Sequence, residues 1–204
     1  NWQVLGLLGS NSIDYEVKDL IVPDHQWIDF PVRKPVLDET LYRFSFLGAL
    51  ASGVASVGLG LAQRALDEII SLSKNKKPNG AARTLAERPV VHVKLARMRA
   101  KLESARLFLQ EAVRENWVEA ENKTPTKENR SKLRLAASFA ASTSAEVVEE
   151  AYKLGGGSSV WDGVKLKELL RDVHMVTQHG LVTESMFEVA GREIVDQPVN
   201  EALL

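Results

Sequence analysis

The 204-residue sequence contains no cysteine, which excludes disulfide bonds, thiolate metal ligands and a cysteine nucleophile. Its 26 basic and 27 acidic residues leave a net charge of −1, so we expect neither nucleic acid nor an anionic membrane as a partner. No apolar run reaches the roughly 18 residues that span a bilayer, since the longest candidate, residues 44–62, is diluted by serines and glycines. With no signal peptide visible, we expect a cytoplasmic protein.

Two short segments at the start of the chain predict a β-hairpin. Residues 2–8 and 13–22 have the pattern of strands, with a Gly-Ser-Asn-Ser turn between them and alternating apolar and charged residues along the second. Pro23 ends the second strand because proline cannot donate a ladder hydrogen bond. An isolated hairpin is marginal in water. We therefore expect it to belong to a larger sheet, and the chain, which starts at Asn1, to be a fragment.

The rest of the chain predicts helices after a short linker. Residues 24–37 are predicted to be the linker, with Trp27 and Phe30 as anchors on a neighbouring surface. The first helix is predicted to begin at Asp38 as its cap and to run to about Ser73, with one apolar side and many small residues. Those small residues would allow close packing against another helix, a subunit or a cofactor.

Two further segments have apolar residues in alternating steps of four and three, the spacing of helices that pack side by side. Pro89 is predicted in or near the first turn of the second helix, and Thr124–Thr126 at the start of the third. A fourth helix is predicted from about Gly163 to Val176, and a short last one at about 183–194. The sequence therefore predicts a mainly α protein, an up-down bundle of four long helices and a short final helix, with a small N-terminal β-hairpin.

One segment combines consecutive glycines with titratable side chains. Gly155, Gly156 and Gly157 end the third helix, and the following helix carries an Arg-Asp pair and then two histidines. Glycines let a backbone approach a ligand closely, which favours a cofactor site. A helix end with a surface ion pair is the structural alternative. His174 and His179 are five residues apart and lie on different faces, so no metal site is expected.

Three motifs in order along the chain resemble the acyl-CoA dehydrogenase superfamily: Trp2–Ser12 before a strand ending in Val22-Pro23, then Leu85–Val91, then a Gly-Gly loop before an Arg-Asp pair. The resemblance implies that residues 1–23 end a middle β-domain, 24–37 form a linker and 38–204 form the C-terminal helical bundle domain. It also implies FAD, or alternatively FMN, as the cofactor, with cofactor contacts from Gly155, Gly156, Arg171, Asp172, Ser10 and Ser12.

The same resemblance bears on the reaction. Acyl-CoA dehydrogenases use a carboxylate to remove a proton. Many carry it in a Tyr-Glu-Gly triplet, where this chain has Gln178-His179-Gly180, and others on the first long helix, where residues 40–66 contain no Asp or Glu. A histidine here resembles the branch with a type-2 C-terminal domain, which includes monooxygenases that use O2 and reduced flavin from a separate reductase. His179 would then be catalytic, donating a hydrogen bond or proton between flavin and a small-molecule substrate.

The chain also departs from the family pattern. Glu168 stands where the family often has an arginine, and Pro78–Ala82 replaces an Arg-x-x-Phe-Gly motif that reaches a neighbouring subunit's flavin diphosphate. Lys76, Lys77 or Arg83 could supply that charge. An acyl-CoA dehydrogenase with a displaced base and a non-enzymatic helical oligomerisation domain stay open as alternatives. The family implies a homodimer or homotetramer through the bundle, and weak flavin binding by this chain alone.

Overall fold

The computed structural model describes residues 2–27 and 37–204, and the predicted mainly α architecture is confirmed. The part of the predicted linker at 28–36, with Phe30, lies outside the described residues. The described helices are α1 Thr40–Arg43, α2 Phe46–Asn75, α3 Pro89–Ala120, α4 Lys127–Gly155, α5 Leu166–Thr177 and α6 Ser185–Ile194. Helix α5 was predicted to be one of four long helices, but it has only 12 residues, whereas α2, α3 and α4 have 30, 32 and 29.

Helix α4 lies at the centre of the bundle and packs against α2, α3, α5 and α6. Much of its buried surface is alanine, which lets the neighbouring backbones approach closely. The apolar stripe predicted for α3 is buried except for Leu95, which is half-buried, and that of α4 is buried except for half-buried Leu154. The fully buried alanines of α4 are Ala136, Ala137, Ala140, Ala141 and Ala151.

The connection between α3 and α4 is fixed by one carboxylate. Glu119, near the end of α3, accepts hydrogen bonds from the Thr126 N–H at 2.9 Å and from the Asn129 side-chain amide at 2.7 Å. These bonds stabilise the ionised form and lower the pKa of Glu119 to about 2. Thr126 in turn caps α4 by accepting the Asn129 N–H. Pro89 occupies the first turn of α3, as predicted.

The predicted first long helix is interrupted, which corrects its start at Asp38. A short α1 ends before Phe44, and Ser45 then caps α2 by accepting the Gly48 N–H at 3.0 Å. Asp38 caps no helix and pairs instead with Arg43. Arg43 Nε also donates to the carbonyl of Ala120 at 2.7 Å, so α1 is held against the end of α3. The buried serine is the better cap because its hydroxyl satisfies an otherwise unpaired backbone N–H.

The predicted N-terminal hairpin is wrong, because no strand forms among residues 2–27 or 37–204. Asn11 and Asp19 adopt left-handed φ angles of 46° and 53°, which interrupt an extended run. Tyr15 and Ile21 are 88% and 92% exposed, so no described part of the chain covers their apolar side chains. Without further strands or a covered face, a two-stranded hairpin gains too little to form.

Helix α2 is more apolar than the sequence-based expectation allowed. Its length and composition would suffice to cross a membrane, with a mean hydropathy of 1.5 over its most apolar window. A third of that window is buried inside the bundle, where Leu59, Leu66 and Ile69 join the core. Core helices of bundles share this composition, so the absence of a membrane partner stays a prediction.

Candidate functional site

The glycine run that ends α4 forms a tight turn leading into α5. Gly155 is buried, and a side chain there would place Cβ 2.1 Å from the Ser159 hydroxyl oxygen. Gly156 has φ 52° and ψ −143°, a conformation that only glycine adopts readily. Ser159 closes the turn by donating to the Tyr152 carbonyl at 2.8 Å. The two predicted cofactor-binding glycines are therefore also required by the backbone geometry.

A cavity of about 760 Å³ lies between this glycine turn and the loop after α2. Lys76 donates to the Gly155 carbonyl and so connects the two walls. Lys77 and Arg88 are exposed and form no ion pair within the described ranges. The three cations give the cavity a positive potential suited to an anionic group. We call it the basic cavity; its lining is Leu72, Asn75, Lys76, Lys77, Pro78, Asn79, Leu85, Arg88, Leu154, Gly156, Gly157, Ser158 and Trp161.

The Arg-Asp pair lies at the middle of α5 and contacts the beginning of the chain. Asp172 Oδ1 accepts the backbone N–H of Leu7 at 2.7 Å. Arg171 is exposed, and in residues 2–27 and 37–204 its side chain makes no hydrogen bond or ion pair. The two side chains therefore do not pair with each other, and Asp172 holds the N-terminal segment on α5.

The predicted contacts Ser10 and Ser12 lie on this same N-terminal segment. Ser10 donates both its backbone N–H and its hydroxyl to the Leu7 carbonyl, at 3.0 and 2.9 Å. The Ser12 hydroxyl lies 3.5 Å from that of Ser10. Both serines are exposed. The Asp172–Leu7 hydrogen bond and the packing of the Leu7 side chain against the core therefore place the two hydroxyls near α5.

His179 lies in the turn between α5 and α6 and is exposed. Its backbone N–H donates to the Val176 carbonyl at 3.1 Å, and its ring Nδ1 accepts the Leu181 N–H at 3.3 Å. Because a backbone amide can only donate, Nδ1 must be unprotonated and the neutral ring must carry its proton on Nε2. In the described residues Nε2 makes no hydrogen bond, so His179 presents an N–H donor at the surface.

Helix α5 separates the candidate residues into two groups. Gly155 and Gly156 precede its first turn, whereas Asp172 lies past its middle and His179 beyond its end. Twelve residues of helix span about 18 Å. The glycines and the histidine therefore cannot contact the same small group, although a dinucleotide could reach from one to the other.

The other titratable residues of α5 have partners in the helical framework. Glu168, where the family often has an arginine, pairs with Lys165 at 2.9 Å. His174 Nε2 lies 3.4 Å from a Glu149 carboxylate oxygen on α4. No cluster of three or more His, Asp or Glu side chains suited to a metal occurs in the described part of the chain.

Sequence reasoning missed some residues of both groups. Arg88 and Trp161 line the basic cavity, and although both lie in motifs read from the sequence, neither was assigned a contact, because the α2–α3 loop and the glycine turn meet only in the folded bundle. Gly6 was missed as well. A Cβ at Gly6 would lie 2.7 Å from the Arg171 carbonyl oxygen and 2.7 Å from Asp172 Oδ1. A glycine in an apolar N-terminal run was a signal of close backbone approach.

Comparison with known proteins identifies the family. The model of the family described as acyl-CoA dehydrogenase, C-terminal domain, matches residues 52–184. The chain belongs to this family. Among curated relatives, the indole-3-acetate monooxygenase of Pseudomonas putida is 34% identical over 192 residues. That alignment covers 93% of this chain and 49% of the relative, so the chain spans about half the length of the curated protein.

Solved structures share the acyl-CoA dehydrogenase C-terminal fold. The 3-HSA hydroxylase from Rhodococcus sp. RHA1 superposes with a TM-score of 0.88 at 18% identity, covering 100% of this chain and 55% of that one. XiaF from Streptomyces sp., solved in complex with FADH2 and glycerol, gives a TM-score of 0.80 at 18% identity, covering 88% of this chain and 48% of that one. At these identities the likeness establishes the fold.

Proposed function

We propose that this chain is the C-terminal helical domain of an FAD-dependent monooxygenase that acts on a small organic molecule. The observation that carries the proposal is His179, which replaces the dehydrogenase carboxylate and presents Nε2–H as a donor. A carboxylate is needed to remove a proton from an acyl-CoA, whereas an imidazole N–H can donate to an oxygen or to a substrate. The 34% identity to an indole-3-acetate monooxygenase supports this assignment.

The basic cavity fits the phosphates of a flavin dinucleotide. Gly156 and Gly157 leave part of its wall without side chains, and Lys77 and Arg88 form no ion pair within the described ranges. We therefore favour FAD over FMN, since a dinucleotide has the length to occupy both ends of α5, and XiaF, a structural neighbour, holds FADH2.

The chain's own residues have defined tasks in this proposal. Reduced FAD, when bound, would supply the electrons that activate O2. The Leu181 N–H orients the neutral His179 ring, so that Nε2–H can donate a hydrogen bond to substrate or oxygen. To donate a proton, the ring must first be protonated at Nδ1, which gives up the hydrogen bond from Leu181. Lys76, which donates to the Gly155 carbonyl, and Lys77 would hold the phosphates of the cofactor at the glycine turn, at the opposite end of α5 from His179.

The proposal includes a separate flavin reductase and self-association through the bundle. Leu50 and Val57 on the outer side of α2 are 44% and 49% exposed, and a Cβ at Gly53 or Gly60 would meet no neighbouring atom. A flat apolar side with small residues supports close packing of a second copy. A non-enzymatic oligomerisation domain would use the same surface but would not need the basic cavity or the oriented His179.

Substitution of His179 in the complete protein tests the function. We expect His179→Ala to lower product formation from reduced FAD, O2 and an aromatic acid such as indole-3-acetate by about 10²-fold, as for loss of a general acid. His179→Gln retains an N–H donor and separates hydrogen bonding from proton transfer. His25→Ala, another exposed histidine, is the matched control and should be unchanged.

Two results would contradict the proposal. Unchanged turnover in His179→Ala would remove the catalytic role of this residue. Oxidation of acyl-CoA thioesters without O2 would favour the alternative, an acyl-CoA dehydrogenase whose base lies elsewhere.

A further inference from the structure

The N-terminal segment touches the bundle through a small and specific contact. The Leu7 N–H donates to Asp172 Oδ1 at 2.7 Å across 165 residues of sequence. Gly6 is buried against the Arg171 carbonyl, and Leu7 adopts a left-handed φ of 52°. The Trp2 indole N–H donates to the Leu7 carbonyl at 3.3 Å. These four residues form what we call the α5 anchor: Trp2, Gly6, Leu7 and Asp172.

The geometry of the α5 anchor is more demanding than a surface contact requires. A left-handed φ is unfavourable for leucine, and the surrounding contacts must stabilise it. A hydrogen bond from a backbone N–H to an ionised carboxylate is stronger than one between neutral groups. Only glycine fits at position 6, because any Cβ would lie 2.7 Å from the Arg171 carbonyl carbon and from Asp172 Oδ1. The contact therefore depends on residues of both the N-terminal segment and α5.

The segment after the anchor makes little other contact with the bundle. Residues 8–27 are exposed, and Ile13, Tyr15, Val17 and Leu20 leave more than half of their surface uncovered. Ser10 and Ser12 directly follow Leu7, and Ser10 bonds back to the Leu7 carbonyl twice. The position of these hydroxyls relative to α5 therefore depends on how Leu7 is held, through its N–H by Asp172 and through its side chain by the core.

We propose that Asp172 is a positioning residue: it sets the N-terminal segment in register with α5, so that Ser10 and Ser12 are held beside the helix that leads to His179. Asp172 itself is occupied by the Leu7 N–H and acts on the cofactor through that segment. This inference rests on the proposed function for its flavin readout. The sequence predicted a direct contact between Asp172 and flavin, whereas here Asp172 acts on flavin indirectly. Gly6 takes part in the same contact between the N-terminal segment and α5.

The test uses variants from both sides of the anchor in the complete protein. Asp172→Ala removes the acceptor, Gly6→Ala forces the two backbones apart, and Asp172→Asn keeps an oxygen that can accept the Leu7 N–H. Asp67→Ala is the matched control, an exposed helical aspartate that accepts from Gln63 at 3.0 Å on α2. Amide hydrogen exchange of Leu7 and Ser10 reports the anchor directly, and titration with FAD reports its effect on the cofactor.

We expect the Leu7 amide to exchange at least roughly tenfold faster in Asp172→Ala and Gly6→Ala, with Asp172→Asn closer to wild type. The dissociation constant for FAD should rise by roughly tenfold in the first two variants, while kcat at saturating FAD stays within about twofold. His179→Ala should show the opposite split, with lower kcat and unchanged FAD affinity.

Each outcome decides one of the two proposals. Unchanged Leu7 exchange in Asp172→Ala, or faster exchange with unchanged FAD affinity, overturns the positioning role. If wild-type protein binds no FAD, the proposed function fails, and the exchange data alone decide whether Asp172 sets the segment. If Asp172→Ala does not fold, Gly6→Ala and Asp172→Asn carry the same comparison.

Discussion

The two ends of the chain each contact a charged side chain of the bundle, and they differ in what surrounds that side chain. At the N-terminal end, half-buried Asp172 accepts the Leu7 N–H, and the following residues are exposed. At the C-terminal end, Arg134 is 2% exposed and donates to the Leu203 carbonyl at 3.1 Å and the Leu47 carbonyl at 3.2 Å. Burial lowers the pKa of the Arg134 guanidinium.

The C-terminal tail, residues 195–204, packs on α6 through Val199 and Leu204, whereas the N-terminal segment contacts the bundle around Gly6 and Leu7. Leu204 is 5% exposed and packs with Met186 and Val189 of α6, and Glu201 pairs with Arg130 at 2.7 Å. The tail therefore contributes to stability through apolar burial, and its removal should unfold neighbouring structure. The N-terminal segment should instead be releasable while the bundle stays folded.

The largest effect is expected at Arg134. Arg134→Ala leaves the Leu203 and Leu47 carbonyls without a donor and opens a void beside Met186, which should lower the free energy of unfolding by about 3 kcal/mol. Urea denaturation measures the loss. Arg114→Ala breaks an exposed pair with Glu111 and should lower the free energy of unfolding far less, because solvent screens the pair. Equal losses in the two variants would mean that the tail is not held through Arg134.

A smaller effect compares one apolar side chain at each end. Leu204→Ala should lower the free energy of unfolding by about 2 kcal/mol, because a buried side chain is lost. Ile21→Ala, at a residue 92% exposed, should change it by less than about 0.5 kcal/mol. Thermal unfolding of both variants beside wild type gives the comparison. A large loss in Ile21→Ala would show that the N-terminal segment packs more tightly than its exposure indicates.

The smallest effect is expected for the Glu119 carboxylate, whose contribution to the free energy of unfolding depends on pH. Glu119 has a folded-state pKa of about 2, below its ordinary 4.5, so its contribution is complete above pH 4.5 and is lost as the pH falls towards 2. Glu119→Gln should therefore be less stable than wild type at pH 6, with the gap narrowing on acidification. Urea denaturation at pH 6, 4 and 3 measures the gap. A gap independent of pH would mean that the ionised form gives no advantage.

The helical part of the fold was predictable because its signals are local and periodic. The four-three steps predicted the buried stripes of α3 and α4, and Pro89 predicted the start of α3. The interruption at Ser45 was missed because an apolar pattern continues through it, and the Ser45 cap and the close packing of Gly48 beside Leu133 are visible only in the folded bundle. The hairpin was wrong because alternation predicts a strand only when a partner strand is available.

The candidate site was predictable by residue type and not by arrangement. Glycines, the Arg-Asp pair and His179 lie within 25 residues of sequence, which suggested one compact site, yet α5 keeps them apart. Asp172 bonds a residue 165 positions away, and no local pattern contains that information. Arg134 was missed for a related reason: α4 is buried on more than one side, so a charged residue can lie outside the predicted stripe and still be in the core.

The length of α5 limits how this domain can change by insertion or deletion. One residue added to or removed from a helix turns everything beyond it by about 100° and shifts it by about 1.5 Å. Such a change between Leu166 and Thr177 would rotate Asp172 away from Leu7 and His179 away from its present direction, while the glycine turn stayed in place. Point substitutions on the exposed side of α5 do not change the direction in which Asp172 and His179 point. Related domains should therefore vary there by substitution, with their gaps confined to the loops on either side.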